Sequence, residues 1–279
     1  MKARSALFTL FGDVIRPAGG EAWLSTITAC MATLGFRGPA VRTALHRMAT
    51  EGWVEPRREG RYSAYELTEQ GVDRLDDAAK RIYRLRSTDW DRRWRLLLSP
   101  DLGDSGVIAE LEWIGYGRLQ RGVWAHPHPH PKAAIALVTS AGAAATWITD
   151  AAVDDDRRLA ATAWALDDLR DRHLSFLRDW AQVAVPTDPA AMFGMRLRLV
   201  HHWRAFLFLD PGLPAEVLPD DWPGFEAAAT FAAVYESLRA GSWAFYLGTL
   251  DLVPDQRPGS AIVPATSPFS LGLAVMQQD

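Results

Sequence analysis

A chain of 279 residues, 48% hydrophobic and 23% charged, is long enough to hold two or three domains with proper cores. Its net charge of −4 argues against a protein that coats nucleic acid by bulk charge, and its lone cysteine, Cys30, excludes an internal disulfide framework and a cysteine zinc cluster. No apolar run approaches the roughly 20 residues needed to span a bilayer and no secretory leader is apparent, so a cytoplasmic protein is expected. The charge is unevenly spread. Residues 1–88 hold 14 basic against 10 acidic side chains and the remainder 16 against 24, a basic head on an acidic body that suits a DNA-binding regulator.

Residues 5–15 carry Leu7, Phe8, Leu10, Phe11, Val14 and Ile15 and predict a helix that ends before Pro17. Residues 23–34 predict a second, with Trp23, Leu24, Ile27, Met31 and Leu34 inward and Gly35 as its stop. A third runs from Pro39, suited to a first helical turn, to Gly52. Its apolar stripe is Val41, Leu45, Met48 and Ala49. Turned the other way are Arg42, Thr43, His46, Arg47 and Thr50, cations and short donors with no carboxylate among them. That is the composition of a recognition helix, and Arg37 just ahead of it adds a further cation. Two β-prone runs follow, 53–58 and 61–67, joined at Glu59-Gly60, a tight-turn dipeptide. The hairpin is expected to present Arg57, Arg58, Arg61 and Tyr62 to solvent, for backbone or minor-groove contact. Thr68 is an expected N-cap for a fourth helix, from Glu69 to about Arg86. Helix, helix, recognition helix and hairpin make a winged helix-turn-helix, with residues 1–88 as a DNA-binding domain that ends in a linker helix.

Beyond Trp90 the pattern changes. Strands are expected at 94–98, 122–125 and 145–149, with helices at 107–114 and 132–139, an alternation that suggests a ferredoxin-like α/β domain over 89–155. Helices at 158–183, 189–209 and 224–239 would then form a helical C-terminal domain, 156–248, making the chain α+β overall. Residues 249–279 are rich in Pro, Ser and Gly without periodicity, and disorder is expected there.

Several segments together carry a family likeness. Leu10-Phe11-Gly12-Asp13, Gly19-Gly20-Glu21-Ala22-Trp23-Leu24, Ala40-Val41-Arg42-Thr43-Ala44-Leu45 and Glu51-Gly52-Trp53 stand in the N-terminal part. Gly60-Arg61-Tyr62-Ser63-Ala64-Tyr65-Glu66-Leu67-Thr68, Trp90-Asp91-Arg92-Arg93-Trp94, Gly115-Tyr116-Gly117-Arg118-Leu119 and Gly122-Val123-Trp124 follow. Arg196-Leu197-Arg198-Leu199-Val200-His201, Arg204-Ala205-Phe206-Leu207, Asp210-Pro211-Gly212-Leu213-Pro214 and Leu218-Pro219-Asp220-Asp221-Trp222-Pro223-Gly224 complete the order. Along nearly its whole length, up to about Tyr246, the chain resembles the phenylacetate-degradation repressor (PaaX) family. The resemblance implies a homodimeric winged-helix repressor of a catabolic operon, bound to double-stranded operator DNA and released by an aryl-CoA thioester such as phenylacetyl-CoA. With no Ser-His-Asp order, Gly-rich phosphate loop or zincin motif in the sequence, no enzyme activity, catalytic residue or bound cofactor is expected. Two features depart from the family: His201-His202 stands where a histidine followed by a carboxylate is usual, and the tail beyond Tyr246 has no counterpart.

An aryl-CoA effector would need cations for its phosphates and an apolar slot for its ring. Arg92, Arg93, Arg118, Arg121, Arg196, Arg198 and Arg204 are the cations on offer, and Trp113, Tyr116, Trp124 and Trp203 the aromatic walls, with His201 at the departing family position. Ten of the twelve tryptophans lie from Trp90 onward; most are expected in the core. His126, His128 and His130 alternate with prolines, which allows either a two-imidazole metal site or a stiff solvated linker, and no metal is assigned. His201 and His202 on one helix diverge by about 100°, too far to share an ion. Because ferredoxin-like domains also occur in metal-dependent nucleases, a DNA-associated nuclease is the alternative reading. It would need Asp101 and Asp104, which follow the first strand of that domain only loosely.

Overall fold

The computed structural model describes residues 1–83, 90–103, 105–250, 263–264 and 266–269. They form a mixed α and β fold with two small antiparallel sheets, in two compact units. Both units are discontinuous in sequence, whereas the sequence reading divides the chain into consecutive segments.

The first unit combines the N-terminal stretch, Arg178–Arg204 and the stretch from Ala228. Helix α1 (Ala3–Leu10) continues as a π-helical turn, Phe11–Ile15. Strand β1 (Glu21–Trp23) leads into α2 (Leu24–Ala32), α3 (Gly38–Thr50), β2 (Val54–Glu59), β3 (Tyr62–Leu67) and α4 (Glu69–Ile82). The sheet order is β1-β3-β2, with Trp23 opposite Ala64 and Arg57 opposite the other side of Ala64. Strand β1 corrects the expected helical start at Trp23. Three residues are too few for a period-two signal, and the pairing that makes them a strand comes from β3.

The core of this unit packs Leu7, Leu10, Val14, Ile27, Val41, Leu45 and Met48 against Phe193, Leu197, Trp243 and Tyr246. The last four come from α9 (Pro189–Trp203) and α10 (Gly224–Leu250), elements numbered in chain order after those of the second unit. Helix α9 starts as its sequence dictates, Asp188 accepting from the Ala191 N–H at 2.8 Å with Pro189 in the first turn. The expected helix over 189–209 tightens after Trp203 into a 3-10 turn, Arg204–Phe208. Helix α10 runs to Leu250, well past the expected end at 239. A Cβ on its Gly241 would overlap Met192 of α9, so this glycine serves helix contact and does not stop the helix.

A charged pair is buried inside this unit. Arg196 donates from Nε to Asp13 Oδ2 at 2.8 Å and from Nη2 to the Asp13 carbonyl at 3.0 Å and the Tyr235 hydroxyl at 2.7 Å. The hydroxyls of Tyr83 and Tyr235 both donate to Asp13 Oδ1. Tyr83 caps the end of α4, so the network fixes that helix's last turn against α9 and α10. In the 249–279 segment, where disorder is expected, most residues lie outside the described ones. Phe269 is described, and it is buried against Tyr83, Phe231 and Tyr235.

The second unit holds the stretch ending at Leu177 together with Ala205–Ala227. It runs β4 (Trp94–Leu98), α5 (Ser105–Ile114), β5 (Gly117–Gln120), β6 (Val123–His126), α6 (Lys132–Ser140), β7 (Thr146–Ala151), α7 (Asp156–Ala163) and α8 (Leu166–Trp180), whose last three residues belong to the first unit. The sheet order is β5-β6-β4-β7, antiparallel throughout. Leu97, Leu111, Tyr116, Trp124, Ala134 and Val138 form its core. The helix expected over 158–183 is instead two helices. Trp164 leaves helical geometry, with φ −128° and ψ 147°, and its ring covers Gly117 of β5 and lies tilted against Trp94 at 5.9 Å. Strand β5, four residues long, went unread. Among the described residues no helix is long and apolar enough to cross a membrane.

Candidate nucleic-acid interface

Helix α3 has two faces. Val41, Ala44, Leu45 and Met48 are buried, while Arg42, Thr43, His46, Arg47 and Thr50 are all exposed, as a period of about 3.6 residues requires. Arg37, at its N-cap, is exposed as well. The hydroxyls of Thr43 and Thr50 donate back to the carbonyls of Pro39 and His46, at 3.1 and 3.0 Å. Thus in the free protein the cations and the imidazole are the more available groups of this face. Among the described residues Arg37, Arg42, Arg47 and Arg58 form no ion pair.

The β2–β3 hairpin turns through Gly60 and Arg61, since Glu59 pairs with Tyr62. Gly60 takes φ +58°, a left-handed conformation that glycine adopts without steric cost. Arg61 donates to the Tyr62 hydroxyl at 2.7 Å, with its guanidinium 5.0 Å over that ring. Two residues expected free at the tip are engaged. Tyr62 is half-buried, its ring 6.1 Å from Trp23 and edge-on to it. Arg57 lies nearer the sheet, donating to Glu21 through Nε (2.7 Å) and Nη2 and to Glu59 through Nη1 at 2.7 Å. These carboxylates raise the already high pKa of the Arg57 guanidinium, which also lies 5.7 Å over Trp23. Arg57 therefore braces β1 to β2, while Arg58 and Arg61 are exposed and form no ion pair among the described residues.

Between α3, the length of α2 and the start of β3 lies a groove of about 530 Å³, with Arg42 and Arg61 among its walls and Trp23, Leu24 and Ala29 on its apolar side. Sequence reasoning missed Trp23 and Ser25 as walls of this groove; Trp23 ends β1, whose pairing with β3 is non-local, and Ser25 follows on α2. The root of the hairpin is fixed by Thr68, which accepts from the Gly71 N–H at 3.0 Å and donates to the Gly52 carbonyl.

Comparison with known proteins matches residues 2–71 to the profile for PaaX-like protein and residues 164–248 to that for the PaaX-like protein C-terminal domain. Over 258 residues the chain is 31% identical to the Escherichia coli (strain K12) protein named transcriptional repressor PaaX, covering 86% of this chain and 82% of that one. The chain belongs to the PaaX family. A solved structure of an uncharacterized Mycobacterium tuberculosis protein aligns with TM-score 0.57 over 89% of this chain and 98% of that one; at 24% identity this likeness concerns the fold alone. Within the PaaX match, residues 2–71 contain α3 and the hairpin in full.

The residues considered for a PaaX-type effector fall into both units. In the second, Arg92 and Arg118 are exposed and form no ion pair among the described residues, while Arg93 is exposed and pairs with Asp150 at 3.1 Å. Trp113 is half-buried on α5, and Tyr116 and Trp124 are buried in the core. In the first unit, His201 is half-buried with Nδ1 3.3 Å from the Thr9 hydroxyl, Trp203 donates to the Ile82 carbonyl at 3.0 Å and stacks on Phe231, and Arg204 donates to Ser5. Burial, followed by the Arg204 charge, lowers the His201 pKa to about 4.

The proline-spaced histidines are packed side chains. His130 lies 3.0 Å from the Ile148 carbonyl through Nε2, which must therefore carry the proton, and 2.6 Å from the Tyr116 hydroxyl through Nδ1. His126 is buried against Tyr116, and desolvation lowers its pKa to about 4. No group of three or more histidine, cysteine or carboxylate side chains suited to a metal occurs among the described residues. Asp101 is exposed; Asp104 lies outside the described residues.

Proposed function

We propose that this chain is a cytoplasmic, homodimeric transcriptional repressor, with no enzymatic role, whose N-terminal unit reads double-stranded operator DNA. Helix α3 is the recognition helix of a winged helix-turn-helix and the β2–β3 hairpin its wing. The carrying observation is the face of α3 formed by Arg42, Thr43, His46, Arg47 and Thr50, exposed and free of carboxylates beside a hairpin bearing Arg58 and Arg61. Membership of a family with a relative named transcriptional repressor supports the reading. In the mechanism, α3 enters the major groove, where guanidinium and imidazole donors meet base edges while wing cations hold the flanking phosphates. A dimer sets two such helices about 34–36 Å apart, or a multiple of that. The strand order β5-β6-β4-β7 with its βαββαβ succession supports a ferredoxin-like reading of the middle segment. The effector is an aryl-CoA thioester, its phosphates met by cations such as Arg92 and Arg118.

Replacing Arg47 tests the DNA-reading role, because Arg47 is exposed and contributes no packing. In Arg47→Ala, operator affinity falls by roughly 1–3 kcal/mol and discrimination relaxes at one base pair of each half-site, with thermal unfolding unchanged. A gel-shift titration against operator variants measures both. Unchanged affinity and unchanged discrimination would remove this face as the reader.

A further inference from the structure

We infer that the groove between α2, α3 and β3 is a seat for a phosphodiester of the bound DNA strand, with Arg42 and Arg61 as its cations. The inference rests on the DNA-reading role proposed above and divides the exposed face of α3 into two tasks. Arg42 alone of that face lines the groove; Thr43, His46, Arg47 and Thr50 do not. Its guanidinium lies back along the helix over Gly38, Nη1 being 3.4 Å from where a Cβ on that glycine would stand, beside Thr28 of α2. Arg61 reaches the groove from the turn of the hairpin, held by the Tyr62 hydroxyl and ring. No carboxylate lines the groove, and the one wing arginine that carboxylates neutralise, Arg57, is not part of it.

The remaining polar groups are hydroxyls. Ser25, on the groove wall, has a hydroxyl with no hydrogen-bond partner, a group that a small rotation would bring to an acceptor in the groove. Two guanidiniums that form no ion pair, with one unpartnered hydroxyl beside them, suit a ligand that accepts hydrogen bonds and carries negative charge, which describes a phosphodiester. The apolar side formed by Trp23, Leu24 and Ala29 presents nothing that distinguishes one base from another and suits a deoxyribose. The seat accordingly fixes register without reading sequence, leaving His46 and Arg47 to do so.

The test compares Arg42→Ala, Arg42→Lys, Arg61→Ala and Arg47→Ala in the full chain. Two duplexes of equal length serve as probes: one enriched from a random pool by the unaltered protein, and one unselected. Binding is followed by fluorescence anisotropy over a salt series. Arg42→Ala and Arg61→Ala each weaken both duplexes by a common factor and reduce the slope of log affinity against log salt by about one per bound reader. Arg42→Lys keeps the slope, because a lysine still meets a phosphate as a point charge. Arg47→Ala weakens the enriched duplex more than the unselected one. If Arg42→Ala alters discrimination and leaves the salt slope intact, or alters neither, the seat is overturned while DNA reading stands. If the unaltered protein binds neither duplex at low salt, DNA reading fails and the seat fails with it.

Discussion

A guanidinium only 1% exposed depends on its partners, and Arg196 has them in Asp13 and Tyr235, with Trp243 below its plane at 5.0 Å. Burial, and after it the Asp13 charge, pushes the Tyr83 hydroxyl well above its ordinary pKa, so it stays a donor to that carboxylate. Removing the cation strands a buried carboxylate, the costly way to break such a pair. Arg196→Met is expected to lose about 3–5 kcal/mol of stability, read as a lower urea midpoint of the full chain. An unchanged midpoint would mean that the pair contributes nothing. Sequence alone singles out Asp13 only as part of a motif; its partner stands 183 residues away, beyond the reach of local pattern. His126 gives a residue-scale pH dependence. Its folded pKa, about 4, lies below the unfolded value of about 6.5, so on acidification the unfolded chain takes up the proton first. This contribution is full above that window and is lost as pH falls through it. Thermal unfolding between pH 7 and pH 4 should show the decline, and His126→Asn should flatten it; an equally steep decline in the variant would assign the effect elsewhere.

Among the elements, α3 and its hairpin were the most legible, because an amphipathic stripe and a tight-turn dipeptide are local signals. The elements that went unread, β1 and β5, have three and four residues and exist by pairing with β3 and β6. The same logic explains the divided helix: nothing around Trp164 breaks a helical pattern, and its ring is drawn out of register by the bare surface of Gly117. Gly71 gives the corresponding prediction for the hairpin. It is buried at the start of α4, and a Cβ there would overlap the Trp53 carbonyl. Gly71→Ala should therefore displace α4 from the hairpin root, at a cost of roughly 1–3 kcal/mol. DNA affinity should fall with it, although residue 71 carries no charge. Denaturant titration and gel shift measure the two effects, and a stable variant with weakened binding would place Gly71 in the interface itself.

For the whole molecule the sequence made the charge asymmetry visible but not the interleaving of the units. The acidic remainder of the chain supplies α9 and α10 to the same unit as the basic reader. Release by an effector requires that the ligand bind two states of the protein unequally. Shifting a population from mostly bound to mostly released takes a few kcal/mol of differential affinity. A buried aryl ring with two or three charge-assisted contacts can supply that much. Titrating operator complex with phenylacetyl-CoA, benzoyl-CoA, acetyl-CoA and phenylacetate should release DNA with the aryl thioesters and not with the free acid. Release by phenylacetate, or by no thioester at millimolar concentration, would sink the proposed effector class.

The reader's hydrophobic core also bears on how the protein is made. Leu45 and Met48 belong to the same buried core as Trp243 and Tyr246, which leave the ribosome almost 200 residues later. At roughly 5–20 residues per second that is an interval on the order of 10–40 seconds. Throughout it the first three helices have one another but not the part of their core that α10 supplies. A truncated chain, cut off anywhere before α10, would thus carry α3 and its hairpin without all of the core that holds them.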